Sequence, residues 1–221
     1  MIEEIDVVIP VRDVVKYLPE ALKSALSQTH PCKLVIVVDA GSLIPISLDE
    51  FEGGRRISLI RSEIPLNIAE ARNLGLSYST SPLITFLDGD DIWPESRNSD
   101  LVRALEESGG SLSYGSVRNF VTKSGNREFA NSAKHGSLAG STLMRRSVFD
   151  EIGFFDSKLK LGEYVDWISR VKLSGLKMQE IQEETLWRRV HRESTTALAL
   201  MENNRDDYLK VVRTWIARNG S

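Results

Sequence analysis

Apolar and polar positions follow two rhythms along the first half of the chain. Residues 5–9 (Ile-Asp-Val-Val-Ile) are a short β-branched run closed by Pro10, which predicts a strand. Leu18, Ala21, Leu22, Ala25 and Leu26 then fall on one helical face. Residues 33–38 are nearly all apolar, as a buried parallel strand requires, and end in Asp39-Ala40-Gly41-Ser42. A third strand is predicted over 56–60. Asn67, three residues before Glu70, marks the start of a helix with the spacing of a capping box. Residues 83–87 make a fourth strand that runs into Asp88-Gly89-Asp90-Asp91. Strands alternating with helices predict an α/β fold: a parallel sheet with right-handed crossovers.

The second half is less regular. A helix is predicted over 96–108, with Leu101, Val102 and Leu105 inward, and a short strand over 111–114. Residues 117–121 and 127–130 flank a Ser-Gly-Asn turn and read as a hairpin. A short helix over 147–152 is ended by Gly153, and an amphipathic helix over 163–174 is followed by Gly175. Residues 185–190 read as a strand carrying Arg188 and Arg189, with His191 after it. A last helix is predicted over 206–217, with Tyr208, Val211, Val212, Trp215 and Ile216 on its apolar face. No repeat, low-complexity stretch or linker appears, so residues 1–221 read as one domain. A ligand-binding half covers about 1–95, and a second half with the last helix covers about 96–221.

Composition narrows the classes. With 221 residues and 41 % hydrophobic positions, the chain can bury a full core. Its 28 Lys and Arg against 31 Asp and Glu give a net charge of −3, which argues against a protein that coats nucleic acid. One cysteine, Cys32, excludes an intrachain disulfide and a cysteine-cluster zinc site, and its place beside Pro31 suits packing better than nucleophilic chemistry. No apolar run reaches the roughly 18–20 residues needed to span a bilayer. The acidic first residues do not resemble a signal peptide. The expectation is a cytoplasmic protein, with room for peripheral contact at the inner face of the membrane.

Polar residues gather where strands end, and ligands bind outside the carboxyl ends of such strands. Three loops qualify: 10–13, 39–42 and 88–91. Each alone also reads as turn chemistry. The last differs, because three carboxylates within four residues repel one another until something positive arrives. Hard oxygens suit Mg²⁺ or Mn²⁺, which take one or two carboxylates plus substrate phosphates. His191 offers an imidazole for such an ion, and Arg188 and Arg189 offer guanidinium groups for phosphate. Glu163 and Asp166 lie three apart on one helix face, where either can serve as a general base or simply favour the helix dipole. There is no Gly-x-Gly-x-x-Gly, P-loop, His-Glu-x-x-His or Gly-x-Ser-x-Gly motif.

The motifs in their order resemble the family 2 glycosyltransferases of the GT-A fold, which has a Rossmann-like, mostly parallel central sheet flanked by helices and a smaller acceptor-side part. Val8-Ile9-Pro10-Val11-Arg12, Tyr17-Leu18 and Ala25-Leu26-Ser27-Gln28-Thr29 look like the family's opening signature. Residues 34–42 are similar to its second strand and turn, and 67–75, with Ala71-Arg72-Asn73, to its next block. Phe86-Leu87-Asp88-Gly89-Asp90-Asp91-Ile92-Trp93 is similar to its metal-binding block, and 140–155 to the stretch before its acceptor-side helix. The likeness covers about residues 4–192.

The resemblance implies an inverting, metal-assisted sugar transfer from a nucleotide-diphosphate sugar, with UDP- or TDP-sugars favoured, to an acceptor hydroxyl in glycan, polysaccharide or glycoconjugate synthesis. By the same resemblance Pro10 and Arg12 line the nucleotide pocket, Asp39 bonds the base and Arg72 helps hold the nucleotide. Asp88 reaches ribose or metal, Asp90 ligates Mg²⁺ or Mn²⁺, and His191 adds a metal or phosphate contact. Arg189 supplies a further substrate contact. Three departures stand out. Ala40 replaces a common second Asp, Arg12-Asp13 replace Tyr or Phe then Asn, and Glu163-Tyr164 stand where Glu-Asp is common. Tyrosine, with an ordinary pKa of about 10, is a poor base at neutral pH. Glu163 or Asp166 then takes the role, with Glu163 about 100° and Asp166 about 200° around the helix from position 164. Otherwise the protein is a catalytically impaired nucleotide-sugar-binding module or partner of another transferase. A nucleotidyltransferase would need a Gly-rich N-terminal loop that is missing.

Overall fold

The computed structural model describes residues 3–13, 16–48 and 56–191. Its first half runs β1 (Ile5–Val11), α1 (Leu18–Leu26), β2 (Leu34–Asp39), β3 (Ile57–Arg61), α2 (Ile68–Tyr78) and β4 (Leu83–Phe86). Then come α3 (Arg97–Ser108), β5 (Leu112–Lys123), β6 (Asn126–Phe129), a single 3-10 turn (Ala139–Ser141) and β7 (Thr142–Arg145). Helices α4 (Ser147–Ile152) and α5 (Glu163–Ser174) and strand β8 (Met178–Arg189) complete it. The helix predicted over 206–217 lies outside the described residues.

One sheet carries all the described strands in the order β3-β2-β1-β4-β7-β5-β6, with β8 also paired to β5. Strands β1 to β4 are mutually parallel, as the alternation predicted. Strand β7 joins β4 antiparallel, and the second half is attached through it. The sheet is buried on both faces by alternating residues. Val7, Ile9, Val35 and Val37 pack with α1 and α3, while Val8, Ile36 and Val38 pack with α2, α4 and α5. This is the GT-A architecture.

Proline in a central strand removes a ladder donor. Pro10 is tolerated because β4 pairs with β1 only as far as Val8, so the missing N–H falls beyond the end of β4. The capping box of α2 forms as the spacing predicted: the Glu70 N–H donates to Asn67 Oδ1 at 2.9 Å, and the Asn67 N–H to Glu70 Oε2 at 2.8 Å.

The second half departs from expectation in three elements. The two short strands predicted over 111–114 and 117–121 are one strand, β5, crossed by a register shift at 114–117. Gly115 and Ser116 read as a break, but the Gly115 N–H bonds Thr185 Oγ1 of β8 at 3.2 Å and the strand continues. Strand β8 begins at Met178 rather than 185, because its charged first half, Gln-Glu-Ile-Gln-Glu-Glu, is held by backbone pairing with β5. Strand β7 has no counterpart in the sequence pattern, because four residues are too short to show a period. Among the described residues no helix is long and apolar enough to cross a membrane.

Candidate active site

The three polar loops do meet at the carboxyl edge of the parallel strands. The Asp13 N–H donates to Ser42 Oγ at 3.1 Å, and the Leu43 N–H to Asp13 Oδ1 at 2.9 Å, which joins the loops after β1 and β2. The acidic turn lies directly on the end of β1: a β-carbon at Gly89 would stand 3.1 Å from a Val11 methyl and 3.6 Å from the Pro10 carbonyl oxygen. Gly89 is therefore a close-approach position.

The acidic turn is fastened from behind by β8. Ile92 and Trp187 exchange two backbone hydrogen bonds of 3.1 and 2.9 Å. The Arg189 N–H donates to Asp91 Oδ1 at 2.8 Å, and Arg189 Nε to the Asp90 carbonyl at 2.8 Å. Arg189 Nη1 bonds Thr122 Oγ1, Nη2 lies 3.4 Å from Glu20, and the guanidinium sits between the rings of Tyr17 and Phe120. Arg189, expected to contact substrate, stands here behind the acidic turn. The side chain is buried and engaged inside the protein, where it shapes the turn. Asp91 is buried as well, and burial beside Asp90 and Asp88 pushes its carboxyl well above the usual range.

The other two carboxylates of the turn face differently. Asp88 is 43 % exposed, and its Oδ1 accepts from Arg72 Nη2 at 2.7 Å. Asp90 is more enclosed, and its Oδ2 lies 2.8 Å from His191 Nε2. Burial and the neighbouring Asp88 raise the Asp90 pKa, while the bond to His191 pulls the other way. The His191 ring packs on Tyr17, and among the described residues its buried Nδ1 has no hydrogen-bond partner.

Arg72 carries the site across to the acceptor-side helix. Its Nη1 bonds Glu163 Oε1 while Nη2 holds Asp88. The guanidinium is 4 % exposed, with the rings of Phe86 and Phe155 each centred 5.9 Å away. Arg72, expected to help hold the nucleotide, has both ends of its fork on carboxylates. Glu163, the first residue of α5, is buried against it. Asp166 stands one turn on, 27 % exposed, and is bound by Arg170 Nε at 3.0 Å. Tyr164 turns inward, where its hydroxyl meets Ser137 Oγ at 2.5 Å and Thr142 Oγ1 at 2.8 Å. Burial pushes that hydroxyl up to about 12, which removes it as a base. Trp167 is fully buried and donates to the Gly153 carbonyl, so it packs rather than stacking on a sugar.

Asp39 is also turned inward. Its Oδ1 accepts from the Ser42 N–H at 2.9 Å, Oδ2 lies 3.5 Å from the Ile46 N–H, and the side chain is 1 % exposed. Asp39, expected to bond a base, has its carboxylate engaged by the loop after β2. Pro10 is buried under the same edge, and Arg12 is half-exposed at its rim. Cys32 is buried as expected, accepting from Asn98 Nδ2 and donating to the Ala25 carbonyl.

Sequence reasoning missed the supports. Glu20 and Thr122, which brace Arg189, carry no local signal. Arg97 is fully buried with its guanidinium 3.9 Å from the centre of the Trp93 ring. It bonds Thr85 Oγ1 and the carbonyls of Gly140 and Thr142, and so sets the stretch on which Tyr164 rests. Burial pulls its pKa down to about 9.

The donor set suits a divalent cation of the Mg²⁺ or Mn²⁺ kind. Asp88 and Asp90 supply hard oxygens at one turn, where burial and then the neighbouring Asp88 raise the Asp90 pKa. Among the described residues no three ligating side chains form a ready cage. Phosphate oxygens of a substrate would have to complete the coordination.

A GT-A sheet with an acidic turn at its carboxyl edge defines a class, and the comparisons give the family. The chain belongs to glycosyl transferase family 2, whose model matches residues 6–163. It is 31 % identical over 132 residues to the glycosyltransferase GlyG of Streptococcus pneumoniae, covering 58 % of this chain and 44 % of that protein. It is 33 % identical over 111 residues to the amylovoran biosynthesis glycosyltransferase AmsB of Erwinia amylovora, covering 47 % and 37 %. The match to the succinoglycan biosynthesis protein ExoU of Rhizobium meliloti is 24 % over 204 residues, covering 80 % and 59 %. The chain thus spans less than two thirds of the length of these relatives. Among solved structures, S. aureus TarS 1–349 shares the fold with a TM-score of 0.72 at 16 % identity, covering 97 % of this chain and 64 % of that one. TarS has also been solved with UDP and with UDP-GlcNAc.

Proposed function

We propose that this protein transfers a sugar from a nucleotide-diphosphate sugar to an acceptor hydroxyl, with inversion at the anomeric carbon and with a divalent cation, in glycan or polysaccharide synthesis. One observation carries the reading. Arg72 ties Asp88, at the cation-binding turn, to Glu163, at the start of the acceptor-side helix, so donor and acceptor chemistry share one cleft. Family membership and relatives named for exopolysaccharide synthesis support it, as do the UDP and UDP-GlcNAc complexes of TarS.

The residues divide the work. The loops over 10–13 and 39–46 receive the nucleotide, with Pro10 as floor, Arg12 at the rim and Asp39 holding the loop. Asp88 and Asp90 face the diphosphate, and His191 orients Asp90. A divalent cation there would neutralise charge on the departing nucleoside diphosphate. Glu163 takes the proton of the acceptor hydroxyl as its oxygen bonds the anomeric carbon, and the bond to the diphosphate breaks on the opposite face. Asp166, held by Arg170, is the alternative base. One GT-A domain carries both halves. The reading places the protein in the cytoplasm, meeting the membrane face where its acceptor is lipid-linked.

A second reading has its own observation. Glu163 is buried against Arg72 and Tyr164 is locked to Ser137 and Thr142, so no candidate base stands unengaged at the head of α5. A nucleotide-sugar-binding partner without turnover fits that arrangement. Calorimetric titration with UDP, TDP and GDP, each with Mn²⁺ and with EDTA, tests the donor site. Binding of one nucleotide that is lost with EDTA and in Asp90→Ala supports it; binding indifferent to both removes the cation assignment. Nucleotide release with a sugar donor then separates the readings, since the second expects none above the rate in Glu163→Gln.

A further inference from the structure

We propose that Arg72 is a positioning residue that links cation binding at Asp88 to the placement of Glu163. The inference rests on the cation reading above. A single guanidinium spans two carboxylates whose positions lie 75 residues apart in sequence: Nη2 to Asp88 and Nη1 to Glu163. Its surroundings hold it there. The side chain is buried, with Phe86 and Phe155 on either hand. Helix α2, which carries it, is stitched to the segment before α5. Asn73 exchanges hydrogen bonds with the Phe155 backbone at 2.9 and 3.1 Å, and Asn67 Nδ2 bonds the Ser157 carbonyl at 2.8 Å. The distance between the acidic turn and α5 is therefore set by one fork.

The two carboxylates differ in freedom. Asp88 is 43 % exposed and can turn toward an arriving ion, whereas the Glu163 side chain is 9 % exposed and held. When a cation engages Asp88, the hold of Arg72 on that carboxylate weakens, and the guanidinium commits to Glu163 through Oε1. The acceptor-side carboxylate is thereby fixed when the donor site fills. Coupling of this kind is reciprocal: whatever the cation does to the Arg72–Glu163 pair, Glu163 does to cation affinity. Without Glu163, Arg72 concentrates on Asp88 and competes with the ion.

A fork is needed for this, not merely a positive charge. Lysine keeps the charge but presents one compact head that cannot grip two carboxylates along fixed directions. The test measures affinity for Mn²⁺ alone, by the paramagnetic resonance signal of the free ion, in the 221-residue chain. Four proteins are compared: wild type, Glu163→Gln, Arg72→Lys and the double variant. Glu163→Gln is expected to weaken Mn²⁺ binding about fivefold, at the low end of coupling energies because Asp88 is open to solvent. In the Arg72→Lys background the same change is expected to shift affinity less than about twofold. Equal effects of Glu163→Gln in both backgrounds would mean that only the charge of Glu163 is felt, and would overturn the linkage while leaving the donor site intact. No Mn²⁺ binding by folded wild type, with or without UDP, would overturn the cation reading and the linkage with it. Should Glu163→Gln not fold, Glu163→Asp, which withdraws the carboxylate by one methylene, replaces it in the comparison.

Discussion

Tyr164 stands where a carboxylate base is common in the resembling family, and its surroundings decide what it does. Its hydroxyl shares hydrogen bonds with Ser137 and Thr142, and its ring packs in the core on the α2 side of the sheet. Tyr164→Phe is expected to cost about 1–2 kcal/mol of stability, the usual penalty for stranding buried hydroxyls, and to leave sugar transfer within about threefold. Denaturant unfolding and a transfer assay check the two halves of that statement; a thousandfold loss of transfer without unfolding would return Tyr164 to the chemistry. The candidate site residues were legible where their chemistry is local, as in the 88–91 turn. Their partners were not. Arg72 meets Glu163 across 91 positions and His191 meets Asp90 across 101, and no periodicity connects residues so far apart. The partners of Asp39 and Arg189 are hidden for the same reason, because a sequence shows a charged side chain but not which way it turns.

The helices and the four parallel strands follow from periodicity and caps, whereas the antiparallel additions depend on pairing across the sheet. The α2–β1 contact shows how tightly the predictable part is built. A β-carbon on Gly75 would lie 2.3 Å from a Val8 methyl and 3.1 Å from one of Val38. Gly75→Ala gains helix propensity of about 1 kcal/mol, but overpacking costs about 1–3 kcal/mol. The expected net effect is destabilisation, with α2 pushed off the sheet and the Arg72 fork displaced; thermal unfolding together with the Mn²⁺ titration reports both. Strand β8 is only half legible, because its first half is charged and relies on the backbone of β5 for order.

Buried titratable groups set how the molecule as a whole responds to alkali. Burial raises the Cys32 thiol from 9.0 to about 11. Between those values the folded state holds its proton more tightly than the unfolded chain, so stability is full below pH 9 and falls toward pH 11. The loss is about 2 kcal/mol. Tyr164 acts in the same direction from pH 10 to about 12. Arg97, drawn down to about 9, acts in the opposite sense, since the unfolded chain then binds the extra proton. The clean observable is thus the difference between wild type and Cys32→Ala. Urea unfolding at pH 8.5 and 10.5 is expected to show a smaller decline in the variant; parallel declines would mean that Cys32 does not report.

The fastening of the acidic turn by β8 also has a consequence in time. Asp88 to Asp91 leave the ribosome about a hundred residues before Arg189 and His191, which complete their surroundings. The parallel strands can assemble early, but the nascent protein carries its cluster of carboxylates without the side chains that brace it. Competence to bind a charged donor therefore arrives late and at once, when β8 zips onto β5, rather than growing with the length of the chain.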